Sequence, residues 1–200
     1  PFAGRRRFGG RPVSWFGAGT GGRCSRLGSG RCSLGRSRAA TGGFPAGDGF
    51  TISSGAQIRD FPDVAYNLAR NEYLVTWDVD NVGPNLDIYG LRLSGTGTFL
   101  TGGNPNVTGE FPIAGWPDLE EHPSAAACYP FDQYLVAWHS DQGTGGADYA
   151  IYAYSLNGDA VPQTVALISD TTSPQLQVDL ACNFQGNGYF IAWQDQYVSG

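Results

Sequence analysis

Three observations predict an all-β chain built from a repeated four-stranded antiparallel unit. The pentapeptide Tyr73-Leu74-Val75-Thr76-Trp77 is written again as Tyr134-Leu135-Val136-Ala137-Trp138 and as Tyr189-Phe190-Ile191-Ala192-Trp193. Landmarks keep register around it: Ile52, Ile113 and Ile168 each stand 21 residues before the Tyr, and Ala65, Ala126 and Ala181 stand 8 residues before it. No amphipathic stripe of helical period runs for a useful length, and 30 Gly with 12 Pro oppose one. The period is 61 residues from Ile52 to Ile113 and 55 from Ile113 to Ile168, which marks a repeat architecture.

Each period reads as four short strands. The first carries Pro-x-x-Ala, as in Pro62 to Ala65, with Pro123 to Ala126 in the second copy and Val178 replacing the Pro in the third. The second strand is the pentapeptide. Strand alternation puts Tyr73, Val75 and Trp77 on one face, and likewise Tyr134, Val136, Trp138 and Tyr189, Ile191, Trp193, leaving Leu and small residues on the other. Both faces are mainly apolar, so the strand is expected to be covered on both sides. The third strand is Asp87 to Ser94, and the run Ile88 to Gly97 is answered by Ile151 to Ala160. A hairpin turn follows, which Asn157-Gly158 predicts as type I′, with Gly95 and Gly97 in the matching place. A segment ending in Phe111-Pro112-Ile113 closes the unit. Large rings facing a neighbour's small side chains suit sheets that stack as the blades of a β-propeller. Two complete blades, starting near residues 50 and 111, and a partial third from near residue 166 are predicted.

The order Tyr-Leu-Val-x-Trp, an acidic polar loop, Asp87-Ile88-Tyr89-Gly90, a Gly-containing hairpin and Phe-x-Ile resembles bacterial secreted or surface β-propeller repeat proteins. The second copy departs from it with Asp148-Tyr149-Ala150, and the third stops before its Asp-Ile-Tyr. The resemblance implies an extracytoplasmic scaffold, secreted or at the cell surface, with no shared catalytic motif and no particular ligand. Propellers close with roughly four to eight blades. The expectation is therefore a fragment of a longer protein, completed by further blades in the same chain or from other copies of it.

Residues 1–47 are a different material from residues 48–200. They hold 9 of the 12 Arg, 13 of the 30 Gly and none of the acids, whereas the rest carries 3 Arg against 18 Asp and Glu. Gly and Ser at that density cannot bury enough apolar surface to offset chain entropy, so the segment is expected to be disordered, or foreign to the natural protein. A cationic arm for nucleic acid is the competing reading. No signal peptide is legible, and no apolar run reaches the length of a membrane span.

The clearest chemistry lies in Asp78, Asp80 and Asp87, which with Asn81 and Asn85 form an oxygen-rich loop that suits Ca²⁺. The spacing is not that of an EF-hand, and Asp and Asn are ordinary turn residues. No other cofactor is indicated. His122 and His139 do not recur in the repeat and read as exposed loop residues, without a nucleophile elbow. Glu120 and Glu121 are adjacent, which rarely aims two carboxyls at one glycosidic bond. Cys24 and Cys32 lack a second pair at zinc spacing. Cys128 and Cys182 fall one alignment step apart; adjacent strand positions face opposite ways, which favours buried free thiols over a bridge. The leading functional expectation is a noncatalytic module binding a protein, a glycan or a cell surface. The rival is a fragment of a propeller-fold hydrolase whose catalytic groups lie on other blades.

Overall fold

The computed structural model describes residues 31–33, 50–54, 56–80, 85–129, 131–142, 148–171, 173–185 and 188–196. Within them the chain is all-β, with no helix. The strands are β1 (Arg31–Ser33), β2 (Thr51–Ser54), β3 (Arg59–Asn67), β4 (Glu72–Asp80), β5 (Leu86–Ser94), β6 (Thr101–Gly102), β7 (Asn104–Thr108) and β8 (Phe111–Ala114). They continue as β9 (Glu120–Cys128), β10 (Gln133–Ser140), β11 (Ala150–Asn157), β12 (Pro162–Ser169), β13 (Gln175–Asn183) and β14 (Gly188–Asp195).

Two four-stranded antiparallel sheets carry the repeat, in the orders β3-β4-β5-β8 (sheet I) and β9-β10-β11-β12 (sheet II), and β13-β14 form a third, two-stranded sheet. The pentapeptides are β4, β10 and β14. Short hairpin β6-β7 interrupts sheet I between β5 and β8 and supplies the extra length of the first period. Arg31–Ser33, inside the Arg-rich segment, pairs antiparallel with β2; the rest of residues 1–47 lies outside the described residues.

Side-chain alternation decides how the sheets meet. Tyr134, Val136 and Trp138 of sheet II pack against Ala65, Leu74, Ile88 and Phe111 of sheet I, which form the small-residue face and its flank. Each fully buried aliphatic side chain there is worth roughly 1.5–3 kcal/mol over exposure. The opposite face of sheet II, with Ala137, Ile151 and Ala153, meets Val178, Leu180 and Ile191 of the third sheet. Val75, Trp77 and Val79 turn away from sheet II and are covered by Ile52 of β2 with Leu91 and Leu93. The most extensive backbone contact between sheets runs along their first strands, β3 with β9 and β9 with β13.

Trp77 and Trp138 are buried as equivalents, but Trp193 is 38% exposed. The register explains the difference: Trp77 lies opposite Tyr89 of β5 and Trp138 opposite Tyr152 of β11, and the described third sheet has no third strand to supply that cover.

The turn prediction needs correction. In both β5 and β11 the first residue of the turn accepts a bond from the residue three on, Gly97 N to Ser94 O at 2.9 Å and Ala160 N to Asn157 O at 2.8 Å. The positive φ falls on Gly97 (84°) and Ala160 (55°), not on Asn157 or Gly158. Each is a three-residue loop, a type I turn followed by a left-handed residue, in place of the two-residue type I′ turn.

The cysteine expectation is also overturned. Cys128 and Cys182 form a disulfide with Cα atoms 5.3 Å apart. Facing sides of stacked sheets belong to opposite strand parities, so an offset of one alignment step brings the thiols together. The parity rule that forbids a bridge within one sheet requires the offset between two. Cys24 lies outside the described residues.

Candidate functional site

The turn joining the first two strands is equivalent in all three units. Leu68, Tyr129 and Phe184 occupy the same place in it, five residues before the pentapeptide Tyr. They are 60%, 48% and 62% exposed, an unusual state for three large apolar side chains at one repeat position. Tyr66 and Phe131 add exposed rings beside the first two.

These turns are tied to one another. The Arg70 guanidinium in the β3–β4 turn grips Asp132 of the β9–β10 turn, its Nε lying 2.8 and 2.7 Å from the two carboxylate oxygens. Asn67 Nδ2 donates to Asp132 Oδ1 at 2.9 Å, and Arg70 also reaches Asp159 at 2.7 Å. The Cys128–Cys182 bridge joins the second unit to the third beside Tyr129 and Phe184, and Tyr189 donates its phenolic O–H to Gln133 O at 3.3 Å. The result is a fixed rim carrying at least one exposed apolar side chain per unit.

A second cluster stands at the opposite end of the first strands, and a repeated β-bulge creates it. Pairing skips from Asp60 to Asp63, from Glu121 to Ser124 and from Leu176 to Asp179, each time opposite the repeated Trp. The bulged residues Phe61, His122 and Gln177 share φ values of 49°, 53° and 52°. Such values cost a non-glycine residue of order 1–2 kcal/mol, and bulges serve to re-aim side chains. The signal was present in the sequence, because a Pro inside a strand is confined to edges and bulges, and Pro62 and Pro123 mark two of the three.

The bulge turns His122 towards His139 of β10. His122 Nδ1 lies 3.1 Å from His139 Nε2, which is 3.5 Å from Glu121 Oε2. Tyr149 donates its hydroxyl to that same Glu121 oxygen at 3.4 Å. Phe61 meets the His122 ring edge-on, with centroids 3.5 Å apart. His139 is 1% exposed and its Nδ1 has no partner, so the exposed-loop reading of the two histidines does not hold: both are strand residues. Burial, followed by the neighbouring His139, pushes the His122 imidazole down to about 4, and hydrogen bonding to His139 holds Glu121 below the usual carboxyl range.

The three aspartates of the expected calcium loop do not converge. Asp87 pairs across from Val79, so it faces away from Asp78 and Asp80. Asp78 is buried, and its carboxylate accepts the backbone N–H of Asp60 at 3.2 Å and of His122, in the next sheet, at 3.3 Å. Burial pushes it up to about 7, helped by the nearby charges of Asp60 and Glu121. Asn81 lies outside the described residues. Glu120 and Glu121 lie on β9 rather than on a loop and face opposite sides of it; Glu120 is buried, accepts the Trp116 N–H at 3.2 Å, and is raised to about 8 by that burial. Among the described residues no Ser, Thr or Cys is hydrogen-bonded to either histidine.

Comparison with protein-family models, with curated proteins and with solved structures finds no match to this chain.

Proposed function

We propose that the chain is a segment of a β-propeller that acts as a noncatalytic, extracytoplasmic binding module, and that its binding face is the rim of Leu68, Tyr129 and Phe184. The observation that carries this reading is the threefold recurrence of an exposed large apolar residue at one turn position. Isolated apolar exposure needs no explanation, but repetition on adjoining turns makes a surface. Ion pairs and a disulfide hold that surface in place, which lowers the entropy lost when a partner docks. Propeller geometry is supported by the face-to-face stacking of the units, with contact most extensive along their first strands. The disulfide supports an oxidising compartment, since such bridges rarely persist among cytosolic thiols. The acidic balance outside residues 1–47, 3 Arg against 18 acids, leaves little electrostatic reason for this part to bind nucleic acid.

The partner class is a glycan or a protein with an apolar patch. The test compares the parent chain with a Leu68→Ser/Tyr129→Ser/Phe184→Ser variant on a glycan array and on a panel of immobilised secreted proteins. Retention by the parent that falls at least tenfold in the variant, at unchanged melting temperature, is the expected result. Equal retention by both, or none by the parent on either panel, overturns the reading.

A further inference from the structure

We propose that Glu121, His122 and His139 form a site for a divalent transition-metal ion of the zinc class, at the end of β9 away from the apolar rim. Their ligand atoms, one from each side chain, all lie within 4.8 Å of one another. Two of the separations match a shared ion: at bond lengths of about 2.0–2.1 Å, two ligands of a tetrahedral zinc stand roughly 3.3–3.4 Å apart, whereas a gap as wide as 4.8 Å, the limit for the set, has to shorten as the ion binds. His122 Nδ1 to His139 Nε2 is 3.1 Å and His139 Nε2 to Glu121 Oε2 is 3.5 Å.

The surroundings hold each ligand in place. The bulge fixes the His122 backbone at φ 53°, and Asp78 of the adjacent sheet takes its N–H. Tyr149 donates to the Glu121 oxygen that faces His139, and its ring lies edge-on to the His139 ring with centroids 5.1 Å apart. Partners of this kind orient metal-binding side chains and tune them. Two imidazoles with one carboxylate select zinc, copper, nickel or iron over calcium and magnesium, which want oxygen shells. Three protein ligands leave a fourth position for water or for a group on a binding partner. Coordination through His139 Nε2 puts the ring proton on Nδ1, where no acceptor waits, so the affinity falls below that of sites whose second nitrogen is hydrogen-bonded.

The test uses the full chain carrying Cys24→Ser and Cys32→Ser, which removes two sulfur atoms that could compete for the metal. Zinc is titrated calorimetrically after chelator treatment, and Co²⁺ replaces it to report coordination by visible absorption. Two variants keep the fold. His122→Asn retains a residue type that tolerates positive φ, and Glu121→Gln keeps its shape. One zinc per chain, Co²⁺ bands of low-symmetry coordination, no calcium response, and at least tenfold weaker zinc binding in both variants are expected. Absence of zinc binding by the parent overturns the proposal, as does equal binding by His122→Asn. Neither outcome touches the rim, whose variant is predicted to bind zinc normally.

Discussion

Asp132 shows how much one residue can carry at a junction between units. It sits at φ 50°, in the same turn position as Asn71 at φ 53°, so both residue types accept this backbone without different strain. What distinguishes Asp132 is its charge, which meets Arg70 in a two-pronged contact and is held below the usual carboxyl range chiefly by that hydrogen bond. Asp132→Asn therefore removes the charge while leaving the turn intact. The side chain is 36% exposed, so solvent screening limits the loss to about 1 kcal/mol or less at neutral pH. Because the folded carboxyl is depressed, its contribution is present above the ordinary value of about 4 and disappears as pH falls through the lower folded value. Urea midpoints of parent and variant should differ at pH 7 and converge in acid once the folded carboxyl is protonated, and the gap should narrow in molar salt. A gap that persists unchanged in acid would assign the effect to something other than charge.

At the scale of the element, the strands were legible because alternation and the repeated pentapeptide are local signals. The turns were legible in place but not in kind, and the bulges went unread although Pro62 and Pro123 mark two of them. Asn157-Gly158 announces a turn, yet whether two or three residues close it depends on the register of β11 against β12, which shifts between Ser155 and Leu156. Gly95 and Gly158 are crowded by neighbours and do not have positive φ: a Cβ at Gly95 would displace the end of the Asn71 side chain, and one at Gly158 would displace Arg70 and Asp132. Those contacts join turns distant in sequence, so no local pattern displays them. The left-handed position is Gly97, whose added Cβ would also stand 3.3 Å from the Phe50 ring. Gly97→Ala is predicted to cost about 1–2 kcal/mol, the penalty of that backbone for a side chain. A melting temperature equal to the parent's would show that the loop relaxes to another turn type. The histidine cluster escaped sequence reading for a related reason. His122 and His139 are 17 residues apart and meet only because the bulge lifts one towards the other.

For the whole molecule, the decisive unknown was which faces of successive sheets meet, and it settled both the core and the cysteines. Once the Tyr-Val-Trp face of sheet II lies on the small-residue face of sheet I, the same operation repeated places Cys182 over Cys128. The bridge spans 54 residues and is the covalent tie between sheet II and the third sheet. By the chain-entropy account, closing a loop of that length stabilises the folded state by about 4 kcal/mol. The noncovalent contact it reinforces is modest, because β14 is largely exposed and Trp193 lacks the cross-strand cover of its counterparts. Cys128→Ala/Cys182→Ala should therefore act unevenly. Amide exchange is expected to speed first in β13 and β14, while β4 and β10, buried on both faces, keep their protection until global unfolding. Reduction of the parent chain should reproduce that pattern, and reoxidation should reverse it. Uniform loss of protection across all three sheets would mean that they unfold as one unit, and the bridge would then be a global staple rather than the anchor of the third sheet.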